Sequence, residues 1–244
     1  MRRLVIIVLA ALVFAAVLIA RLPAAWVLPA LRAELICTRA SGSLWNGYCA
    51  GARVRGVTVD QLAWQVHPRA LLHARLSVQL TAIRGDASAS GQFSVGWNGP
   101  LHGRAVQARL PLSPALVPIL PPYISGLLEV DIARIEVARD GAVERLQGRL
   151  TVRHLIDSSG QVTPLGGFTV TFPDAPGEPV GRLQDLGGPL ALSGTLRLTA
   201  QPGYVLRARV AARAGAAPSL VQALQYLGAP DEEGLRPFAL SGTY

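Results

Sequence analysis

The residue types in this chain that could support chemistry are its histidines, its cysteines and one short acidic run. The four histidines lie singly, and none is paired at i, i+4 around a glutamate as in a zinc hydrolase helix: they are His67, His73, His102 and His154. The acidic run Asp231, Glu232 and Glu233 is typical of a solvated turn. The chain also lacks the glycine-rich nucleophile and phosphate motifs. We therefore expect no catalytic, cofactor-binding or metal-binding residue, and interpret the chain as a non-enzyme.

The two cysteines, Cys37 and Cys49, lie close together after an apolar N-terminal segment. An even count on the exported side of a membrane favours one disulfide, because that compartment is oxidising. Two glycines lie between the cysteines and allow the chain to turn back. The alternative is a pair of unpaired buried thiols.

The N-terminal segment predicts a membrane anchor. Residues 4–20 carry no charge, Gly or Pro, and a helix of this length runs roughly 26 Å, which nearly crosses the hydrocarbon core. Arg2 and Arg3 precede it and place the N-terminus in the cytoplasm, so the remaining chain is exported to the periplasm. A cleaved signal peptide is the alternative, but the apolar run is longer than such peptides need and a poor cleavage context follows.

The net charge of +8 and the pI of about 10.6 come from arginine alone, since the chain has no lysine. These arginines recur singly rather than in clusters, which is typical of a solvated face and argues against a nucleic-acid partner. A surface that contacts phosphates or anionic lipid head groups is the alternative interpretation.

From Gly42 onward, apolar residues recur at every second position, which is the period of half-buried strands. The pattern predicts an all-β fold: an antiparallel meander or curved open sheet, with two similar halves as one interpretation. Asp140-Gly141 predicts a hairpin turn. One short strand, FTVTF, is expected in the Gly- and Pro-rich region 157–188.

Short helices and domain boundaries follow from the breaks in this alternation. Helices are predicted from Ser113 and from Ser219, each with that serine as N-cap, and Gly228 ends the second. The predicted domains are a cytoplasmic N-terminus with anchor (1–21), a membrane-proximal linker or short helix (22–40) and a periplasmic β-domain (41–244). A further boundary is considered near 111–125.

Three stretches of the chain resemble the type II secretion system protein N family. They are the apolar N-terminal span, the segment ASGSLWNGYCAGARVRGV and the ending LQYLGAPDEEGLRPFALSGTY. The middle segment LAWQVHPRALLHARL has a form that this family shares with AsmA-like proteins. The residues that match the family motifs are Gly42, Leu44, Trp45, Gly47, Trp64, Pro68, Leu227, Gly228, Asp231, Gly234, Leu240, Ser241 and Gly242.

The resemblance implies an accessory inner-membrane component of the machine that exports folded proteins across the outer membrane. Its partners would be inner-membrane lipids and other secretion subunits, which a strand edge or an apolar groove would dock. The alternative function is an AsmA-like module that binds or transfers lipid in an apolar groove. The oligomeric state and the docked subunit do not follow from the sequence.

Overall fold

We describe the chain from a computed structural model, which covers residues 35–54, 57–97, 99–112 and 121–243. The predicted anchor and the helix expected from Ser113 lie outside these ranges. Within them, no helix has the length and apolar character needed to cross a membrane. Two compact units are present, Met1–Gly85 and Asp86–Tyr244. The division between these units, after Gly85, differs from the boundary predicted near 111–125, which stays a prediction.

The first unit is an antiparallel meander in which each strand pairs with the next along the chain. A single-turn helix, α1 (Pro68–Leu71), lies between its third and fourth strands. The strands are β1 (Leu35–Gly42), β2 (Asn46–Val54), β3 (Val57–Val66) and β4 (Arg75–Arg84).

The second unit is a longer antiparallel meander, again with sequential neighbours throughout. Helix α2 (Pro218–Gln225) precedes its last strand and contacts β12. The strands are β5 (Ala87–Gly96), β6 (Leu101–Leu112), β7 (Ile124–Val137), β8 (Val143–Asp157), β9 (Thr163–Phe172), β10 (Val180–Asp185), β11 (Leu190–Thr199), β12 (Gly203–Ala212) and β13 (Arg236–Thr243).

The core of the second unit lies on one face of its sheet. Ile132, Leu146 and Phe172 are buried there, and partly buried apolar side chains from β6 to β11 pack around them. Phe172 lies opposite Gly148 on β8 and over Gly181 on β10, where an added Cβ would come within 2.8 Å of its ring. Gly181 therefore makes room for the largest side chain of this core, whereas a Cβ at Gly148 would meet the backbone of Asp131 and Ile132 on β7.

The predicted antiparallel meander is confirmed in each unit, and the structure also corrects several details. β1 begins at Leu35, inside the stretch expected to be linker or short helix. The region expected to hold only FTVTF contains the ten-residue β9 and, in addition, β10. Ser219 does not cap α2: the N-cap is Ala217, and Pro218 begins the helix because its fixed φ suits a first turn.

Candidate functional site

The predicted N-terminal motif forms the connection from β1 to β2 and the contact of β2 with β3. Gly47 pairs with Trp64, and a Cβ on Gly47 would lie only 2.1 Å from Cζ2 of the indole. The indole Nε1 donates a hydrogen bond to the carbonyl of Leu44 at 3.1 Å. Glycine is therefore required at position 47, because the tryptophan ring lies over its backbone.

The turn ahead of β2 uses the other residues of the same motif. Gly42 has φ +88°, a left-handed conformation that glycine adopts without strain. The Ser43 N–H donates to the Asn46 carbonyl at 2.9 Å, which closes the turn. Trp45 contributes its carbonyl, which accepts a 2.6 Å hydrogen bond from the N–H of Val66 and so joins the turn to the end of β3.

Cys37 and Cys49 form a disulfide between β1 and β2, as the sequence predicts. Their Cα atoms are 5.9 Å apart, and Cys49 is fully buried. The bond joins two strands that already pair in register. The disulfide links β1, the first strand of the described residues, to its neighbour β2.

Pro68 and His67 are adjacent at the start of α1 and His73 follows that helix, whereas His102 lies on β6 and His154 on β8. Pro68 begins α1, and the preceding His67 donates its N–H to the Ser77 carbonyl at 2.9 Å. His102 Nδ1 lies 3.7 Å from Glu136 Oε1. Across the described ranges, no three His, Cys, Asp or Glu side chains converge in a way that could hold a metal ion.

The C-terminal motif forms the loop from α2 to β13. Leu227 and Gly228 follow the helix, and Gly228 has φ +100°. The Asp231 carboxylate accepts hydrogen bonds from the N–H groups of Glu233 at 3.1 Å and Leu235 at 2.8 Å. Gly234, with φ +78°, completes this turn by donating to the Asp231 carbonyl at 2.9 Å.

Ion pairs fasten that loop to the sheet. Arg209 on β12 lies 2.8 Å from Glu233 Oε2 and 3.5 Å from Asp231 Oδ2. The Arg236 guanidinium donates to the Gly228 carbonyl. The acidic run is an exposed turn, as the sequence predicts, and it is also tied to β12 through Arg209.

β13 is an edge strand: among the described residues it pairs only with β12. Pro237 lies opposite Arg209 and has no N–H, so this must be a non-hydrogen-bonded pair. Ala239, Ser241 and Thr243 follow Pro237 at every second position, so they also lie in non-hydrogen-bonded pairs with β12. Their N–H and C=O groups therefore point away from β12, toward the free edge of the sheet. Among the described residues, these three therefore have backbone groups on the free edge that no strand pairs with.

Gly242 on β13 repeats the glycine–aromatic contact seen at Gly47. It lies opposite Tyr204, and a Cβ at position 242 would come within 2.9 Å of the tyrosine hydroxyl. The neighbouring Leu240 lies opposite Leu206 on the apolar face. The predicted motif residues of β13 therefore split between strand packing (Leu240, Gly242) and the free edge (Ser241).

On the polar face of the second unit, the carboxylate of Glu129 binds two arginines. Glu129 on β7 accepts from Arg153 Nε at 2.7 Å and from Arg109 Nη2 at 3.1 Å. The hydrogen bond from Arg153 is the main cause that holds the pKa of Glu129 below its ordinary value. At this place a single carboxylate therefore binds two arginines.

A second carboxylate joins three strands at one end of the sheet. Asp185 accepts from the N–H groups of Leu192 at 3.1 Å and Gly187 at 3.0 Å, and from Arg213 Nη2 at 2.7 Å. Partial burial raises the pKa of Asp185, but the hydrogen bonds from Leu192, Arg213 and Gly187 outweigh it, so the pKa lies below its ordinary value. Arg213 also donates to the Gly188 and Leu190 carbonyls.

Sequence reasoning missed a row of arginines and threonines that crosses five strands on the polar face. In this arginine–threonine row, each residue lies directly opposite the next: Arg149, Thr171, Arg182, Thr195 and Arg207, from β8 to β12. The three arginines are exposed. The residues are far apart in sequence, so only the strand register brings them together, and no local signal predicts the row.

Comparison with known proteins identifies the family. A family model described as type II secretion system (T2SS), protein N matches residues 33–239. Type II secretion system protein N of Aeromonas hydrophila is 25% identical over 83% of this chain and 82% of its own length. The protein of the same name from Vibrio cholerae is 27% identical over 84% of this chain and 83% of its own length.

No solved structure matches the chain. The family match covers most of the residues and includes all the predicted motif residues except those from Leu240 onward. It also agrees with the resemblance noted from the motifs around Trp45 and Asp231. The chain therefore belongs to the type II secretion system protein N family.

Proposed function

We propose that this chain is an accessory inner-membrane component of the type II secretion pathway whose periplasmic β-domain docks other subunits of the machine. Residues 4–20 would anchor it as a single span, with the N-terminus in the cytoplasm. Membership of the protein N family supports a role in this secretion system. No catalytic step and no cofactor is part of the proposal.

The free edge of β13 is the observation that carries the docking role. Ala239, Ser241 and Thr243 direct backbone donors and acceptors away from β12, as argued above from Pro237. A partner strand can add to such an edge through main-chain hydrogen bonds. The side chains of these three residues are small, so they do not obstruct the approach of a partner strand.

Co-purification of the full-length protein with the other secretion subunits, after mild detergent extraction, tests this role. Ser241→Pro removes one outward N–H without removing a hydrogen bond to β12, so we expect at least a tenfold loss of the co-purified subunit. Ser241→Ala keeps the N–H and is the matched control. A photocrosslinker at Ala239 provides a second readout, with exposed Gln79 on β4 as the control position.

Two outcomes would contradict the proposal. One is the absence of any secretion subunit in the wild-type purification. The other is a crosslinking pattern at Ala239 that matches the pattern at Gln79, because docking at the free edge requires a partner specific to β13.

A second candidate, an AsmA-like module that binds lipid, is favoured by the apolar face of the second unit. Cross-strand rows of apolar side chains line this face; one contains Val130, Leu150, Val170 and Leu183. Strands of this unit contact mainly their neighbours in the sheet, and α2 contacts β12. Native mass spectrometry of the detergent-released full-length protein discriminates the two functions: a stoichiometric phospholipid supports this one, and lipid-free protein contradicts it.

A further inference from the structure

We propose that the arginine–threonine row is the docking surface for an acidic polypeptide segment of a partner protein. This inference rests on the proposed docking function and adds the surface and the chemistry of the partner. Its starting point is the register, which aligns Arg149, Arg182 and Arg207 on alternate strands with a threonine between each pair.

The spacing of the row suits a regular partner. Neighbouring strands are about 4.8 Å apart, so consecutive arginines lie roughly 10 Å apart across the sheet. Residues at i and i+7 of an α-helix are separated by roughly 10.5 Å along its axis. A helix with carboxylates at this interval, lying across the strands, would therefore place one carboxylate at each arginine, with the short threonine hydroxyls leaving room between them.

The arginines of the row form no ion pair among the described residues. Asp131 on β7 lies directly opposite Arg149 in the register but outside salt-bridge distance. None of Arg149, Arg182, Arg197 and Arg207 has a carboxylate within salt-bridge distance among the described residues. Arg197 lies on the same face of β11, two residues beyond Thr195. By contrast, Glu129 forms ion pairs with both Arg109 on β6 and Arg153 on β8, and Glu233 pairs with Arg209. The described residues of β9 to β13 place no Asp or Glu on this face.

The surface is concave beside Arg207, the last arginine of the row. A cavity of about 610 Å³ is lined there by Thr195, Arg207 and Arg209, together with Pro237 and Ala239 of β13. We attribute this concavity to the long arginine side chains of β12, which lie next to small side chains on β13. It offers a place for one end of the partner segment.

The same face argues for a protein partner rather than a membrane. Surfaces that bind lipid bilayers combine cations with inserted apolar or aromatic side chains. Here the described residues of β8 to β12 on the polar face include no aromatic side chain, and within the row the positions between the arginines are threonines. The apolar side chains beside Arg197, Val180 and Val205, are short valines. Guanidinium groups also match carboxylates in a planar, two-bonded geometry.

Fluorescence anisotropy with a labelled polyglutamate peptide tests the row in the full-length protein in nonionic detergent. The row variant Arg149→Gln, Arg182→Gln, Arg207→Gln is expected to bind at least tenfold more weakly than the wild type. The matched control Arg39→Gln, Arg75→Gln, Arg84→Gln removes the same charge from exposed arginines of the first unit and is expected to stay within twofold. A circular dichroism melt checks that both variants fold.

An equal loss in both variants would overturn the proposal, because net charge alone would then explain binding. Binding to phosphatidylglycerol vesicles without binding to the peptide would overturn it in favour of a membrane surface. Co-purification distinguishes the failure of this inference from the failure of the docking function itself. If the wild type and the row variant retain the secretion subunits equally, only this inference is wrong. If the wild type retains none of them, the docking function is wrong.

Discussion

Glycine 47 shows how a single missing side chain supports the first unit. A methyl group at this position would lie within 2.1 Å of the Trp64 ring, so Gly47→Ala must displace the indole and break its hydrogen bond to Leu44. We expect a loss of about 2 kcal/mol in the free energy of unfolding, the middle of the range for overpacked sites. Denaturant unfolding of the full-length protein followed by tryptophan fluorescence measures it.

The matched control is Gly160→Ala, because an added Cβ at Gly160 meets nothing within 4 Å. Equal stability losses in the two variants would mean that the indole contact is not the cause. From the sequence, the motif around Trp45 could be recognised as structural. The reason for Gly47 could not be predicted, because its partner Trp64 lies on another strand and only the register brings the ring over it.

Asp185 is the residue whose charge holds one end of the β10–β12 sheet. Because its folded pKa is lowered, the carboxylate stabilises the fold above its unfolded pKa near 3.9, and this stability is lost as pH falls through the lower folded value. We expect Asp185→Asn to cost about 1 kcal/mol at pH 7, since Arg213 is partly exposed and screened. Thermal midpoints at pH 7 and pH 3 should show the difference between wild type and variant shrinking with acid.

Asp174→Asn, in the exposed loop after β9, is the control for Asp185, with no expected change in midpoint at either pH. A gap between wild type and Asp185→Asn that persists unchanged at pH 3 would show that side-chain shape, rather than charge, holds the strands together.

At the scale of elements, the disulfide links β1, which ends the sheet among residues from Leu35 onward that the structure describes, to β2. Its ring spans a sequence separation of 12 residues, and rings of about this size stabilise a fold by about 3 kcal/mol in the loop-entropy model. We expect Cys37→Ala, Cys49→Ala to lower the thermal midpoint of the full-length protein. Dithiothreitol should lower the wild-type midpoint to the same value and leave the double variant unchanged. A further drop of the double variant in dithiothreitol would contradict this account.

The elements that sequence reasoning misjudged share one cause. The Gly and Pro residues of the region 157–188 predict a loop, yet β9 accommodates Pro164, Gly166 and Gly167, and Gly166 adopts φ +95°. Strand pairing with β8, through two register shifts, overrides the local preference of these residues. The acidic turn is predicted from the sequence, but its contact with Arg209 is not, because Arg209 lies on another element.

At the scale of the whole molecule, the alternation of apolar and polar residues predicts the strands. It does not predict which side chains of neighbouring strands lie opposite each other. A shift of one residue in a single hairpin would move its side chains to the opposite face. The arginine–threonine row depends on four successive registers and could not be read from any segment alone. The composition, with all cations as arginine and a net charge of +8, indicated only that such a surface could exist.

The topology proposed for the whole chain makes the disulfide a reporter of export. If residues 4–20 carry the β-domain into the periplasm, Cys37 and Cys49 oxidise there, and the full-length protein resists alkylation by a maleimide polymer until it is reduced. Deleting residues 4–20 should retain the domain in the reducing cytoplasm, where both thiols react and shift the band on a gel. Full-length protein whose thiols react without prior reduction would contradict the topology, because a domain exposed to the periplasm could not keep both cysteines reduced.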